Sequence, residues 1–407
     1  MSEGKEKIRV LRIINRFNLG GPTFNVAYLT RYMDDRFETM LLGGTKDESE
    51  ASSEFILEEL GIKPTVISEM KRAISPMSDY KSYLEISKVI REFRPHIVHT
   101  HAAKSGTLGR IAAIHNNVPV VLHTFHGHVF HSYFGKVKTG MYKWIERYLA
   151  NHTSRIIAIS QIQSDELSMI HRIADSSKIE IVPLGFDLSR FQKNQAEKRK
   201  AFRNRFNLND DDIAIGIIGR LVPIKNHTMF LDAVKPVHKA NPHTRFFIIG
   251  DGESKDALLE YCKKSKIEFN WLDAPESQTP LCFTSWIKEI DQVMAGLDIV
   301  ALTSLNEGTP VSLIEAQSAS RPVVSTRVGG IEDIVVEDGS ALLCGIYDQA
   351  MFNQHLIQLS NDQLRRTTMG KIGQAHVIEQ FSYHCLVSDM QSLYQKLLEE
   401  KNININT

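Results

Sequence analysis

TSLNEGTPVSLIEAQSASRPVVSTRVGGIEDIV, Thr303–Val335, decides the fold. An apolar strand, DIVALTS, runs into it and ends in a turn built from Gly308, Thr309 and Pro310. A helical stretch, VSLIEAQ, follows, and RPVVST opens the next strand. Strand, turn, helix and strand in that order make a βαβ unit, whose strands lie parallel because the helix carries the chain back. Glu307 and Glu315 stand eight residues apart. Glu307 and the amides of 308–310 fall at the helix start, facing an anionic or hydroxyl-rich ligand, and Glu315 falls about two turns deeper. Glu315 interrupts an otherwise apolar run, which argues against a merely solvated helix face. A buried acid needs a partner, and the paired hydroxyls of a ribose are one.

Outward from this stretch the same rhythm recurs. IAIGIIGR, TRFFIIGDG, FNWL and CFTSW precede it, and IRVLRII, ETMLLG, HIVHTH, VPVVLHTF, RIIAIS and IEIVPLG form an earlier series. A charged, helix-favouring interval around residues 190–210 separates the two. Two successive parallel α/β sheets are expected, with a hinge between Pro183 and Arg190. The expected division is residues 1–187, residues 188–380, and a closing helix over residues 381–407 whose apolar residues recur at helical spacing.

Ligands of open α/β sheets bind beyond the carboxyl ends of the strands. After the first strand, NRFNLGGPTFNVAYL places Gly20 and Gly21 where backbone can approach a ligand, or where the chain makes a plain tight turn. It is not the GxGxxG dinucleotide pattern. Further on, HTFHGHVFH brings His123, His126, His128 and His131 together, and nine of the sixteen histidines lie between His96 and His152. A metal site would want a carboxylate as ligand or orienting partner, yet no Asp or Glu occurs between Glu92 and Glu146. His123 and His131 read as packing or capping groups, and His126 as the one facing a reacting group. In IGIIGRLVPIKNH, Arg220 and Lys225 follow a strand ending at Gly219, either as a solvated loop or as a clamp for a diphosphate.

Composition removes several classes. Acids and bases balance at 48 each, so no overall field recruits nucleic acid. Cys262, Cys282, Cys344 and Cys385 form no CxxC pair, which argues against a zinc knuckle and a disulfide scaffold and fits a reducing cytoplasm. No apolar run reaches the roughly 18 residues that cross a bilayer. HSYFGKVKTGMYKWIERY, residues 131–148, interleaves Lys136, Lys138, Lys143 and Arg147 with Tyr133, Phe134, Tyr142 and Trp144. Such a stretch suits an anionic membrane surface at the inner face of the plasma membrane, or an amphipathic helix with its aromatic side packed inward.

Taken together, these segments resemble the family 4 retaining glycosyltransferases of the GT-B fold over nearly the whole chain. The E-x7-E motif matches Glu307 through Glu315, with Pro322 and the turn Val328–Gly330 following. GRLVPIKN resembles the family's phosphate clamp, Gly250–Gly252 its GDG turn, and VPLGFDLSRF its interdomain segment. The resemblance implies two Rossmann-like, doubly wound domains facing a central cleft, an acceptor-side first domain, a donor-binding second domain, and a final helix returning to the first. It assigns His126 to the donor sugar, Arg220 and Lys225 to the diphosphate, Glu307 to sugar hydroxyls, Glu315 to the ribose, and Gly21 to the phosphate or acceptor side. Gly20, Gly219, Gly250, Gly308, Thr309 and Pro310 join the donor site, as does backbone near Trp286 at the base.

The implied donor is a nucleotide diphosphate sugar, UDP rather than GDP, carrying a hexose or N-acetylhexosamine. The implied acceptor is a glycan or lipid-linked sugar of surface-polysaccharide synthesis. No metal or other cofactor is expected. Lacking a carboxylate nucleophile near His126, the chemistry expected is front-face substitution. Ser320 stands where many members have Gly, and Leu184 where Asn is frequent. The competing readings are a nucleotide-sugar epimerase, a phosphorylase, which would need a cofactor lysine, and a non-catalytic nucleotide-sugar-binding protein, in which the clamp residues should be eroded.

Overall fold

The computed structural model describes residues 6–17, 21–45, 53–71, 73, 75–126, 136–271 and 279–403. The chain divides into two units, Met1–Phe186 with Phe381–Thr407, and Asp187–Gln380.

The first unit is built on β1 (Ile8–Arg16), β2 (Phe37–Gly44), β3 (Thr65–Ile67), β4 (Ile97–His101), β5 (Val120–Thr124), β6 (Arg155–Ala158) and β7 (Ile179–Ile181). All neighbours pair parallel, in the order β3-β2-β1-β4-β5-β6-β7. Its central strands β4 and β5 are buried throughout because helices cover both faces of the sheet, as is usual for a parallel sheet. On one face, Val10, Ile97, Val120 and Leu122 meet Leu386, Met390, Leu393, Tyr394 and Leu397 of the helix Tyr383–Glu400. Each such side chain, once buried, contributes about 1.5–3 kcal/mol. That helix follows another, Gln363–Phe381, and the break falls at Ser382, whose side chain accepts from the His384 amide as an N-cap.

The second unit carries β8 (Ile213–Ile218), β9 (Thr244–Ile249), β10 (Phe269–Trp271), β11 (Leu281–Ser285), β12 (Ile299–Leu302), β13 (Val323–Thr326) and β14 (Ala341–Cys344). Its order is β10-β11-β9-β8-β12-β13-β14, again all parallel. Cys262, Cys282 and Cys344 are buried here as small core residues.

Two strands, β3 and β14, were not expected from the sequence. With three and four residues they lie at a sheet edge and hold too short a run for any periodicity to show. Each sheet reverses its direction of growth once, between β1 and β4 in the first unit and between β8 and β12 in the second. Those are the topological switch points, where loops diverge and leave room for a ligand.

Candidate active site

In the second unit, the switch point is stitched by its own loops. After β8 the chain passes Gly219 and Arg220 into a short 3-10 turn, Pro223–Lys225, and after β12 it passes Ser304 to Glu307. Leu305 N donates to Ile224 O at 2.8 Å, and Thr303 Oγ1 donates to Lys225 O at 3.0 Å. Across this seam Lys225 Nζ reaches Glu307 Oε1 at 2.5 Å, and Ser304 Oγ donates to the same oxygen at 2.5 Å. The side chains of Lys225 and Glu307 are only 21% and 12% exposed, so their mutual attraction is weakly screened. The VGG turn supports Glu307 from behind. Gly329 has φ +50°, and a β-carbon there would lie 1.8 Å from Glu307 O, so only glycine lets the turn close on the acid's backbone. Gly250 stands in the same relation to Gly219, whose carbonyl oxygen a β-carbon would meet at 1.9 Å.

The expectation that amides 308–310 line the helix start needs correction. Pro310 is the N-cap of the helix Val311–Ser318 and has no N–H, so the amides there belong to Gly308, Thr309, Val311 and Ser312. Glu315, on the same helix, has a protein partner that the sequence reading did not name: Arg190 Nη2 lies 3.4 Å from its Oε1. Burial raises the Glu315 carboxyl to about 7, against the opposing pull of Arg190. Arg220 does not join the Lys225–Glu307 pair. It extends into solvent with Glu253 at 4.0 Å.

Beyond β9 and β11 a further cluster forms. Asp251 accepts from Gly252 N at 2.8 Å and from Ser285 Oγ at 2.9 Å, and Lys255 Nζ sits 3.3 Å from it and 4.6 Å above the Trp271 ring. The Ser285 hydrogen bond and then the Gly252 amide hold the Asp251 carboxyl below its ordinary range. This network fixes the backbone ahead of Trp286, whose side chain is exposed.

In the first unit the strand ends are populated by histidine. His101 closes β4, and Nδ1 of its buried ring lies 2.9 Å from Nε2 of His126, two residues past β5. His99 bridges Tyr394 OH and Thr124 Oγ1, both at 2.7 Å. His123 lies 2.9 Å from Thr100 Oγ1, packed against Gly106 where a β-carbon would come within 2.4 Å of the ring. Burial lowers all four imidazoles, His126 to about 4 and the others well below the ordinary value. The fully buried Arg12 and Arg110 add to that. Glu146, the first acid after the carboxylate-free span, is taken by Arg110 at 2.6 Å and is no partner for the histidines.

Gly21 begins the helix Gly21–Arg31 after β1. Gly20, Gly127, His128, His131, Tyr133 and Phe134 lie outside the described residues. Among the described residues no group of three or more His, Cys, Asp or Glu could hold a metal ion. A cavity of about 440 Å³ opens at the other end of the second sheet, lined by Arg199, Asp298, Arg321 and Arg366. It sits at the amino ends of the strands, where Arg199 is already committed to Asp298 at 2.7 Å, and it is not the candidate site.

His99, His101, Arg190, Ser304 and Asp251 were not singled out from the sequence. The H-x-H of His99 and His101 at a strand end was the available signal for the first two. Arg190 lay in view within VPLGFDLSRF, but nothing local says that it reaches a helix 125 residues on.

Comparison with known proteins identifies the family and the fold. A family model described as Glycosyltransferase Family 4 matches residues 19–190, and one described as Glycosyl transferases group 1 matches residues 198–376. The chain is 28% identical over 344 residues to the UDP-Gal:alpha-D-GlcNAc-diphosphoundecaprenol alpha-1,3-galactosyltransferase of Escherichia coli, covering 84% of this chain and 85% of that one. It is 25% identical over 338 residues to the capsular polysaccharide biosynthesis glycosyltransferase CapM of Staphylococcus aureus, covering 81% and 84%. The crystal structure of Anabaena Alr3699/HepE in complex with UDP superposes with a TM-score of 0.77 at 18% identity, covering 95% of this chain and 100% of that one. Two doubly wound parallel sheets of this order are the GT-B fold. Within that class, the chain belongs to the family 4, group 1 glycosyltransferases.

Proposed function

We propose that the protein transfers a hexose or N-acetylhexosamine from a UDP-sugar to a lipid-linked glycan acceptor in polysaccharide synthesis, with retention of anomeric configuration and without a metal ion. The observation that carries the reading is the Lys225–Glu307 pair at the switch point of the second unit. Lys225 supplies a cation for the diphosphate, Glu307 acceptor oxygens for sugar hydroxyls, and the Gly308 and Thr309 amides further donors. Arg220, exposed, adds a second cation, so neutralising the leaving group needs no bound ion. Glu315 exchanges Arg190 for the ribose hydroxyls, and backbone held by the Asp251–Ser285 link reads the base beside Trp286. His126 and Gly21 serve the sugar and acceptor side in the first unit. The names of the Escherichia coli and Staphylococcus aureus relatives support a UDP donor and a polysaccharide setting.

In the proposed step the bond from the anomeric carbon to the diphosphate oxygen breaks while the acceptor oxygen bonds to the same face of that carbon. The acceptor proton passes to the departing phosphate oxygen, and Lys225 and Arg220 stabilise the charge that develops there. The test is transfer by EDTA-treated protein from α-linked UDP-sugars to a polyprenyl-diphosphate-linked N-acetylglucosamine, with the product anomer read by proton NMR. An α product supports the reading. A β product, or a glycosyl group trapped on the protein, contradicts it.

Contact with a membrane surface belongs to the same proposal. Met141, Trp144 and Tyr148 are exposed along one face of the helix Lys136–Asn151, and Met169 and Ile170 are exposed as well. Arg147 ties that helix to the His171 and Arg172 carbonyls at 2.8 and 2.9 Å, close in sequence to Met169 and Ile170. Apolar side chains amid lysines suit an anionic bilayer surface. Among the described residues no helix is long and apolar enough to cross a membrane. Sedimentation with phosphatidylglycerol vesicles, lost in Trp144→Ser/Tyr148→Ser, is the expected result, and unchanged pelleting would remove this part of the proposal.

A further inference from the structure

The four imidazoles at the end of the first sheet are not equivalent in their hydrogen bonding. Only His99 has a partner at both ring nitrogens. His123 has one partner, and its logic is plain: Thr100 Oγ1 gives its proton to Leu122 O at 3.1 Å and so accepts from His123 Nδ1–H. That leaves a bare lone pair at His123 Nε2, which is buried and has no hydrogen-bond partner. A lone pair without a donor is tolerated inside a protein far better than an N–H without an acceptor.

The same rule can be applied to His101 and His126. Their contact, His101 Nδ1 to His126 Nε2 at 2.9 Å, needs one nitrogen to donate and the other to accept. Burial keeps both rings neutral, with His99, Arg12 and His123 adding to it at His101, so each carries a single N–H. The remaining nitrogens, His101 Nε2 and His126 Nδ1, are both without a partner. One of the two must bear the second proton. His101 is fully buried, its ring tilted against that of His99 with centroids 4.1 Å apart, and its carbonyl is pinned by Ser105 Oγ. Among the described residues no acceptor reaches its Nε2. His126 is only half-buried, with its Nδ1 covered, and it lies past the strand end, the side from which ligands of open sheets arrive.

We propose that His101 is a positioning residue for His126: its Nδ1–H, donated to His126 Nε2, fixes the ring and leaves an N–H at His126 Nδ1 as the donor to a ligand oxygen. Free imidazole side chains favour the opposite form, with the proton on Nε2, so the strand-end pairing selects a tautomer that His126 would not hold by itself. Ala102, at φ +68°, turns the chain sharply straight after His101 and so sets where that ring ends. The role of His126 toward substrate rests on the function proposed above; the pairing with His101 does not.

The test uses the full chain with 15N-labelled histidine, and the His126 signals are assigned by their loss in His126→Ala. The expected spectrum shows His126 protonated at Nδ1 in the wild type and in His101→Asn, whose amide sits near the lost Nδ1, and protonated at Nε2 in His101→Leu. Protonation of His126 at Nε2 in the wild type, or the same tautomer in His101→Leu, would overturn the proposal. Donor hydrolysis gives a second reading: His101→Leu should lower kcat by about tenfold with little change in KM, His101→Asn should recover most of it, and in a His126→Ala background His101→Leu should cost less than about twofold. A full tenfold cost in that background would mean that His101 acts through the fold and not through His126. If the wild type turned over no nucleotide sugar, the glycosyltransferase reading would fall, and the spectra would still decide the pairing.

Discussion

The strand ends of the first unit hold imidazoles that burial keeps neutral, whereas those of the second hold carboxylates and cations already joined to one another. The same sheet architecture therefore carries two electrostatic designs. In the second unit, the function proposed above requires a nucleotide diphosphate to replace contacts that exist beforehand, Lys225 with Glu307 and Arg190 with Glu315, and each charge is compensated until then. At His101 and His126 no ion pair has to be displaced, and the proposal above assigns selectivity to which nitrogen donates.

The largest effect that would break this contrast is loss of the clamp. Lys225→Ala should lower donor turnover by about 10²–10³-fold, the range for losing a charge-stabilising donor, with Glu307→Gln close behind, as read by nucleotide release. Acid should separate the two units next. His126 falls from 6.5 in the unfolded chain to about 4 when folded, and His99, His101 and His123 shift the same way. The unfolded chain thus binds more protons between those values, and the stability held above pH 6.5 is lost as pH falls toward 4. Hydrogen exchange resolved by unit should show protection around β4 and β5 collapsing over that window.

Against His227, which burial lowers to about 4, Glu315 contributes the opposite slope to the second unit. Its folded value of about 7 lies above the unfolded 4.5, so the folded state holds the extra proton and stability falls as pH rises from 4.5 to 7. Glu315→Gln should flatten that slope, protect the helix Val311–Ser318 by about 1–3 kcal/mol at pH 8, and weaken donor binding through the lost carboxylate. The smallest effect concerns Ser320. It ends that helix at φ +59°, with its amide donating to Gln317 O at 2.8 Å and the Arg321 amide to Ala316 O at 2.9 Å, the pattern in which glycine is usual. Ser320→Gly should therefore stabilise by about 0.5–1 kcal/mol, seen as slower exchange of the Ala319–Arg321 amides.

These cases also show what the sequence could and could not reveal. Both parallel sheets were legible, because strands such as IAIGIIGR and HIVHTH are long, apolar and followed by turn residues. Lys225 and Glu307 were legible as members of a spaced motif. Their direct contact was not, since it depends on β8 and β12 being neighbours, an order fixed by the whole sheet. Arg190 and Tyr394 reach Glu315 and His99 across 125 and 295 residues, and no local pattern encodes such a distance. Ser320 was visible as a departure from glycine, but its reason, a left-handed backbone, appears only in the φ angle. Pro310 shows the converse, a residue whose missing N–H was available in the sequence and was passed over.

The central claim is that Lys225 and Glu307 form a donor clamp that works without a metal. Its most direct test is nucleotide release from a panel of UDP- and GDP-sugars by EDTA-treated protein, comparing the wild type with Lys225→Ala and Glu307→Ala. Slow hydrolysis of a UDP-sugar by the wild type, lost in both variants, is the expected result. Hydrolysis that needs added divalent metal, or survives in the variants, or a wild type that neither turns over nor binds any nucleotide sugar, would contradict it.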